Sequence, residues 1–575
     1  MVAYVWDHLT CDDQRAGALA ADLGLDPVIG RLLVLRGITD PDAAHRFLNP
    51  SLDQLHDPFL LTGMDRAVDR LVQAIAARER VAVHGDYDVD GITATVIVRR
   101  TLEMLGADVM HFVPERVRDG YGLNTPAVER LAADGVRLIV SVDCGIRGME
   151  AAVRARELGV DLIVTDHHEP DAELPPALAV INPKRRDCAY PDKHLAGVGV
   201  ALKLVQALCR RAGKDRWLPG FLKLAAIGTL ADVVPVLGEN RVIARLGLDL
   251  LSRGPHKAGL RALIEASGLS GKVIDGYHVS FMIAPRVNAA GRMSTPDIAL
   301  RLLLASDDSM LDEARGLAAQ LNTENQRRQA EERTVVAEAK RLVEHDPGIG
   351  ARSVLVVAGE GWHRGVIGIV ASKLVDAYHR PAIVISTDGD EAHGSCRSIP
   401  AFDILGALEA CSSHLVRFGG HRVAAGLTME RSRITPFREA MAAWADDRLT
   451  PDDLRPRLRI DGRLGFRQIT PRLMDGLTRL APFGIGNPRP IFWTAGAQVA
   501  DGPRRLKERH LSMSLRQEGV AFRGLFWRAA ERAGAIEAAR AGLDAAYSVD
   551  QNTFNGTTYL ELTLADVRAA ESSGS

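Results

Sequence analysis

Little about this 575-residue sequence is extreme, and each missing extreme excludes something. No charge dominates: 71 Lys and Arg stand against 73 Asp and Glu. A uniformly basic, histone-like nucleic-acid binder is thereby excluded, though a local basic face is not. No apolar run reaches the roughly 18 residues of a transmembrane helix, so no membrane association is expected. The opening MVAYVWDHLTCDDQ carries acids early and lacks a basic-then-apolar leader, so no signal peptide is expected. Six cysteines, at 11, 144, 188, 209, 396 and 411, form no CxxC pair. That spacing suits neither a disulfide scaffold nor a zinc ribbon; it predicts reduced, buried, structural thiols in a cytoplasmic protein. There is no fixed-period repeat and no low-complexity tract. Hydrophobic residues at 46% and charged residues at 25% are an ordinary globular mix.

At about 150 residues per domain, the length predicts three to five domains. Residues 1–60 read as an N-terminal segment. Within a unit over 61–310, residues 81 to about 235 read as alternating strands and helices, among them VAVHG (81–85), DVMHFVPE (108–115), RLIVSVDCG (137–145) and DLIVTDHH (161–168), which predict a parallel, doubly wound sheet, and a more helical region follows from roughly 195 to 345. Residues 311–345 lack proline, are charged on most faces and predict a long solvated connecting helix. A second, smaller α/β unit follows over 346–450. A polar stretch, TPDDLRPRLR, reads as a linker. Short strand-like pieces over 455–570 then favour a small β-barrel of OB type. From residue 451 onward 18 basic residues meet 14 acidic ones, so a mildly basic end follows an acidic body. A polyanionic partner would suit it.

The sharpest signal is His84-Gly-Asp86-Tyr-Asp88-Val-Asp90, where the first strand of the parallel unit meets its helix. Three carboxylates and an imidazole so close repel one another unless cations neutralise them. Asp143 ends another strand, and Asp166-His167-His168 a third. In a parallel sheet all of these open onto one crevice, and Asp232 after a helical run could close it. Any one such Asp often only caps a helix; three strand ends together read as a site. The donors suffice for two divalent metals sharing a carboxylate. Carboxylates suit Mg or Mn, and the imidazoles draw the preference toward Mn. Such a pair activates a water and steadies both the attacking and the leaving oxygen of a phosphoester. A structural calcium site is the competing reading, and paired histidines argue against it.

HGDYDVDG, SVDCG, TDHHEP and LADVVP resemble the successive motifs of the DHH phosphoesterase superfamily. PRVNAAGRM (285–293), GWHRGVIGIVASKL (361–374), GSCRS (394–398), FGGHRVAAG (418–426) and APFGIGNPRPIF (481–492) extend the likeness to its RecJ-type exonucleases, over about residues 60 to 567. The resemblance implies a DHH catalytic domain, a DHHA1 substrate-binding domain and an OB domain. It implies one metal on His84, Asp88 and Asp143, and another on Asp90, Asp143, His167 and Asp232. His168 would face the substrate phosphate or hold a ligand, and Asp86 would stand at the metals or just behind them. Ser395, Arg397 and His421, beside glycine-rich turns, would hold a terminal 5′-phosphate. Arg286, Asn288 and Arg292 would lie near the scissile phosphate; the arginines could equally be surface ion-pair partners. Arg504, Arg505, Lys507 and Arg509, the densest basic run, would contact DNA outside the cleft, with Phe522, Phe526 and Trp527 as stacking or barrel-core aromatics.

The implied activity is two-metal 5′ to 3′ degradation of single-stranded DNA to mononucleotides in repair and recombination, by a monomer. A single-stranded-DNA-binding protein and a helicase are the implied partners. Two rivals stand beside this. One is a relative hydrolysing small substrates such as short oligonucleotides, cyclic dinucleotides or pyrophosphate, which the OB-type domain argues against. The other is a non-catalytic replication scaffold, which would be expected to have lost metal ligands.

Overall fold

The computed structural model describes residues 4–115, 120, 122–554 and 557–570. Its first α/β unit has five parallel strands in the order Asp108–Phe112, Arg80–Gly85, Leu138–Val142, Asp161–Thr165, Ala179–Ile181. The central strands are Val- and Ile-rich and buried on both faces, as parallel sheets require. Two apolar clusters sandwich them. One contains Leu71, Ile97, Val140 and Leu204, the other Val128, Ile139, Ala151 and Leu162. Because every strand runs the same way, the residues after Gly85, Val142 and Thr165 emerge together on one edge.

The helix Leu311–His345 is not solvated all round. Ala314, Leu317, Ala318 and Leu321 are buried against the first unit's helical layer, and Val335, Ala339 and Val343 against the second unit. The apolar residues recur at three- and four-residue spacing, so one stripe is covered while the charged faces look outward.

The second sheet is mixed, in the order Arg417–His421, Ala424–Glu430, Glu391–Arg397, Ala382–Asp388, Leu355–Glu360. Only the last pair is parallel. GSCRS and FGGHR therefore lie largely on antiparallel strands, not on turns as their glycines had suggested. In the C-terminal region Phe492–Leu506 pairs with both His510–Gln517 and Leu543–Phe554. Val520–Phe526 and Thr557–Ala569 complete a closed five-stranded barrel.

The N-terminal segment belongs physically to this barrel. Val5–His8 pairs in parallel with Arg457–Ile460, so the end of the expected linker is a strand. Leu19, Ile29, Leu32 and Leu33 share one core with Phe466, Leu473, Phe492 and Leu515. Arg241, on the helix Gly238–Arg253 of the first unit, ties the assembly together. Its buried guanidinium donates to the carbonyls of Phe47, Arg479, Leu480 and Ala481 at 2.8–3.1 Å and lies 3.7 Å from the Phe47 ring centroid. Burial pulls its pKa down to about 9. Five cysteines are buried as expected, but Cys11 is half-exposed. Among the described residues no helix is long and apolar enough to cross a membrane.

Candidate active site

Four segments deliver the donors: 84–90, Asp143, 167–168 and Asp232. Asp88 caps the helix Val89–Met104, its carboxylate accepting from Gly91 N at 3.1 Å. Asp90 lies in the first turn of that helix and is held by a second helix: Gly197 N and Val198 N each donate to it at 2.7 Å. Gly197 is required there, since a Cβ would collide with Asp143 Oδ1. Asp143 follows its strand with φ at 59°, a left-handed conformation that aspartate tolerates better than most residues. Asp232 caps the C-terminal end of the helix Leu222–Ala231.

Ligand atoms gather in three overlapping groups, each within 4.8 Å: Asp86, Asp88 and Asp143; Asp143, His167 and His168; Asp90, His167 and Asp232. Asp143 and His167 each sit in two of them. Of the residues expected as ligands only His84 lies outside these groups. It is fully buried, stacks on Phe112 with centroids 5.4 Å apart, and has its Nδ1 3.6 Å from Cys144 Sγ. His84 Nε2, Asp232 Oδ2 and His167 Nδ1 are buried with no hydrogen-bond partner. Buried polar atoms of this kind need an explanation, and a cation supplies one.

The electrostatics agree. Burial, joined by repulsion from Asp232 at Asp88 and Asp90 and from Asp90 and Asp88 at Asp143, raises the three carboxyls, the latter two strongly. Burial lowers His84 to about 4, leaving it neutral with a lone pair to give. Asp166 differs. Burial works against its charge, but His168 and backbone amides outweigh that and bring it down to about 2. Its Oδ1 accepts from His167 N at 2.7 Å and lies 2.7 Å from His168 Nδ1, while Oδ2 accepts from Ile146 N at 2.9 Å. Asp166 therefore orients His168 rather than facing the donor cluster.

Tyr87, between two of the acids, reaches a cavity of about 770 Å³ against the second unit. Ser395 and Arg397 line it, as do Arg292, Arg364 and Arg417, and among the described residues no acid does. Arg397 Nη1 donates to Cys396 O at 2.8 Å and lies 3.3 Å from Ser395 Oγ. Gly419, Gly426 and Ser395 are cross-strand neighbours, so the sheet is bare of side chains beside that arginine. Bare strand glycines mark close approach of a ligand to the backbone. His421 is exposed at the end of its strand; burial and then the charges of Arg147 and His168, across the cleft, lower its pKa. Tyr87, Arg364 and Arg417 were not among the residues expected at the site. Arg364 was legible within GWHRGVIG; Arg417 carried no local signal.

The remaining expected residues are placed more modestly. Asn288 Oδ1 accepts from Val89 N at 3.1 Å, fixing the start of the acid-bearing helix. Arg286 donates to Met282 O in the turn just before its helix, with Nε buried and without a hydrogen-bond partner. Arg292 Nη1 donates to Gly365 O at 3.1 Å, bridging the two units. Arg504, Arg505, Lys507 and Arg509 are exposed on the hairpin joining two barrel strands, far from the donor cluster in sequence and fold. Phe526 is barrel core, Phe522 packs partly against it, and Trp527 is 52% exposed.

A parallel sheet with carboxylates and imidazoles at its strand ends, facing a cationic cavity on a second sheet, defines a DHH-type phosphoesterase. The N-terminal domain of the DHH family matches residues 80–229, the DHHA1 domain residues 351–447, and the RecJ OB domain residues 460–566. The chain is 34% identical to the single-stranded-DNA-specific exonuclease RecJ of Dickeya dadantii, over 94% of its own length and 95% of that protein's. It is 40% identical to the Bacillus subtilis RecJ over 89% of its own length, and spans 64% of that longer relative. The crystal structure of Thermus thermophilus RecJ in complex with Mn2+ matches with a TM-score of 0.83 and 33% identity, covering 99% of this chain and 80% of that one. The same enzyme has been solved in complex with Mg2+. The chain belongs to the RecJ family.

Proposed function

We propose that this protein is a metal-dependent exonuclease that degrades single-stranded DNA from its 5′ end to mononucleotides, in repair and recombination. The observation that carries this reading is the single cleft holding both the acid and imidazole groups and, beyond Tyr87, the arginine-lined cavity. The donors fit two divalent cations, Mn or Mg. His84, Asp88 and Asp143 would hold one; Asp90, Asp143, His167 and Asp232 the other. Such ions activate water and neutralise charge on the phosphoryl oxygens.

The chain's own residues supply the rest. Asp166 fixes the His168 ring, which would face the substrate phosphate or hold a ligand. Asp86 joins the group around Asp143. Ser395 and Arg397, with His421 at the rim, grip the terminal 5′-phosphate, so polarity follows from where the end is anchored. Arg292 joins the two walls of the cleft, and Asn288 positions the acid-bearing helix. Arg286, two residues before Asn288 on the same helix, would lie near the scissile bond. The division of labour is a catalytic domain over 61–310, a connecting helix over 311–345, a substrate-binding domain over 346–450, and an OB-type domain over 455–570 completed by residues 1–60. Arg504, Arg505, Lys507 and Arg509 follow the strand by charge. A monomer working in the cytoplasm with a single-stranded-DNA-binding protein and a strand-supplying helicase completes the reading.

Digestion of strands labelled at either end, across a length series and with Mn, Mg or chelator, tests it. Stepwise release from the 5′ end, dependent on metal and absent on blunt duplex, is expected. Preference for dinucleotides over long strands would overturn it in favour of a small-substrate phosphoesterase.

A further inference from the structure

Tyr277 and Phe281 are large aromatics left in water, 60% and 67% exposed. Their rings lie side by side, centroids 4.9 Å apart and 30° from parallel. They flank the start of a π-helical turn, Val279–Ile283, that runs directly into the helix Ala284–Met293 carrying Arg286, Asn288 and Arg292. Wide turns of this kind re-aim side chains and are frequent at functional sites. The turn is pinned beside the acids: Ser280 Oγ donates to Leu230 O at 2.9 Å, two residues before Asp232. Val233, directly after Asp232, is 82% exposed. Val236 N donates to Ile485 O at 2.8 Å, and Ile485, in the loop leading into the barrel, is 49% exposed. Exposed apolar residues thus stand on the pinned turn, directly after Asp232 and in the loop leading into the barrel. At the other end of the same helix Arg292 reaches the cavity wall at Gly365.

We propose that Tyr277 and Phe281 form a base-stacking platform for the nucleotides of single-stranded DNA that lie between the acid and imidazole cluster and the barrel. The assignment rests on the nuclease reading above. A strand anchored in the arginine-lined cavity and passing the acids would meet these rings next. Every base has a π-face, so exposed aromatics hold a strand without regard to sequence, whereas phosphates alone would leave the bases unsupported. The position, continuous with the cleft, favours nucleic acid over a protein partner as occupant.

The test is the full-length Tyr277→Ala/Phe281→Ala variant. Affinity for long oligothymidylate without divalent ion should weaken by about 5- to 150-fold, the range for losing a stacked base. Hydrolysis of a dinucleotide, too short to reach the platform, should be unchanged. A 2-aminopurine walked along the strand should lose its quenching at one or two adjacent positions, and a double substitution to Trp should restore both quenching and affinity. Unchanged affinity and quenching would overturn the platform and leave the patch to a protein partner. An equal loss on dinucleotides would also overturn it, since the pair would then support the fold. A wild-type chain that neither binds nor cuts single strands would instead sink the nuclease reading beneath it.

Discussion

The first α/β unit buries Asp90, Asp143 and Asp166 behind parallel strand ends, whereas the second gathers Arg364, Arg397 and Arg417 around a bare patch of antiparallel sheet. Parallel topology explains the first arrangement, because it brings loops distant in sequence to one edge. Antiparallel topology explains the second, because adjacent strands can align glycines in register. One wall is incomplete without cations; the other is itself cationic and needs an anion. Under the proposed function, a phosphodiester with its end on one wall and its scissile bond at the other would match both.

The sharpest way to break this comparison is to remove one carboxylate. Asp143→Asn keeps the side-chain shape and a residue type tolerant of the left-handed backbone. We expect hydrolysis to fall by more than about 100-fold, beyond what losing an outer partner of a metal ligand costs. Mn2+ should raise the melting temperature of the wild type, by linkage worth about 2.7 kcal/mol at a hundredfold excess over Kd. It should raise that of the variant much less. Strong activity or an unchanged Mn2+ shift would mean that Asp143 does not bridge.

On the cationic wall, Arg397→Ala removes a charge-assisted contact worth about 1.5–3 kcal/mol, or roughly 10- to 150-fold. The loss should appear on strands ending in 5′-phosphate and shrink on strands ending in 5′-hydroxyl. Equal losses would assign Arg397 to the fold or to the chemistry instead of to end recognition. Somewhat smaller, Asp166→Asn should cost about 10- to 100-fold in activity, since it frees the His168 ring without removing a donor from the cluster. If Mn2+ affinity fell as far as in Asp143→Asn, Asp166 would be a ligand after all.

What the sequence made legible follows the same contrast. The acids and histidines at residues 84–90, 143 and 166–168 were readable because β-strand runs and strand-end loops are local patterns, and a parallel sheet dictates where they meet, whereas Asp232 stands at a helix end. The arginine wall was half-readable. Arg397 stood inside a short glycine motif, but Arg417 joins it only through strand register, which no local pattern encodes. The same holds for Asn288, whose partner Val89 is 199 positions away, and for the N-terminal segment, whose Leu32 and Leu33 meet barrel residues more than 400 positions later. The buried stripe of the helix Leu311–His345 was present in the letters but diluted by the charge around it.

The shared core also changes how the barrel is tested. Deleting everything from about residue 455 would strip Leu19, Ile29 and Leu32 of their partners, so lost binding and lost folding would be confounded. Charge reversal on the exposed hairpin avoids this. Arg504 is engaged by Asp501 through two bonds of 2.8 and 2.9 Å, so its loss should matter least. Arg505→Glu, Lys507→Glu and Arg509→Glu should each flatten the slope of log affinity against log salt by about 0.7, the value for one phosphate contact on a single strand. Dinucleotide hydrolysis and the melting temperature should stay at wild-type values, because the hairpin touches neither wall of the cleft. A salt slope that does not move would place the strand on another face of the barrel, with the exposed Trp527 as the next residue to change.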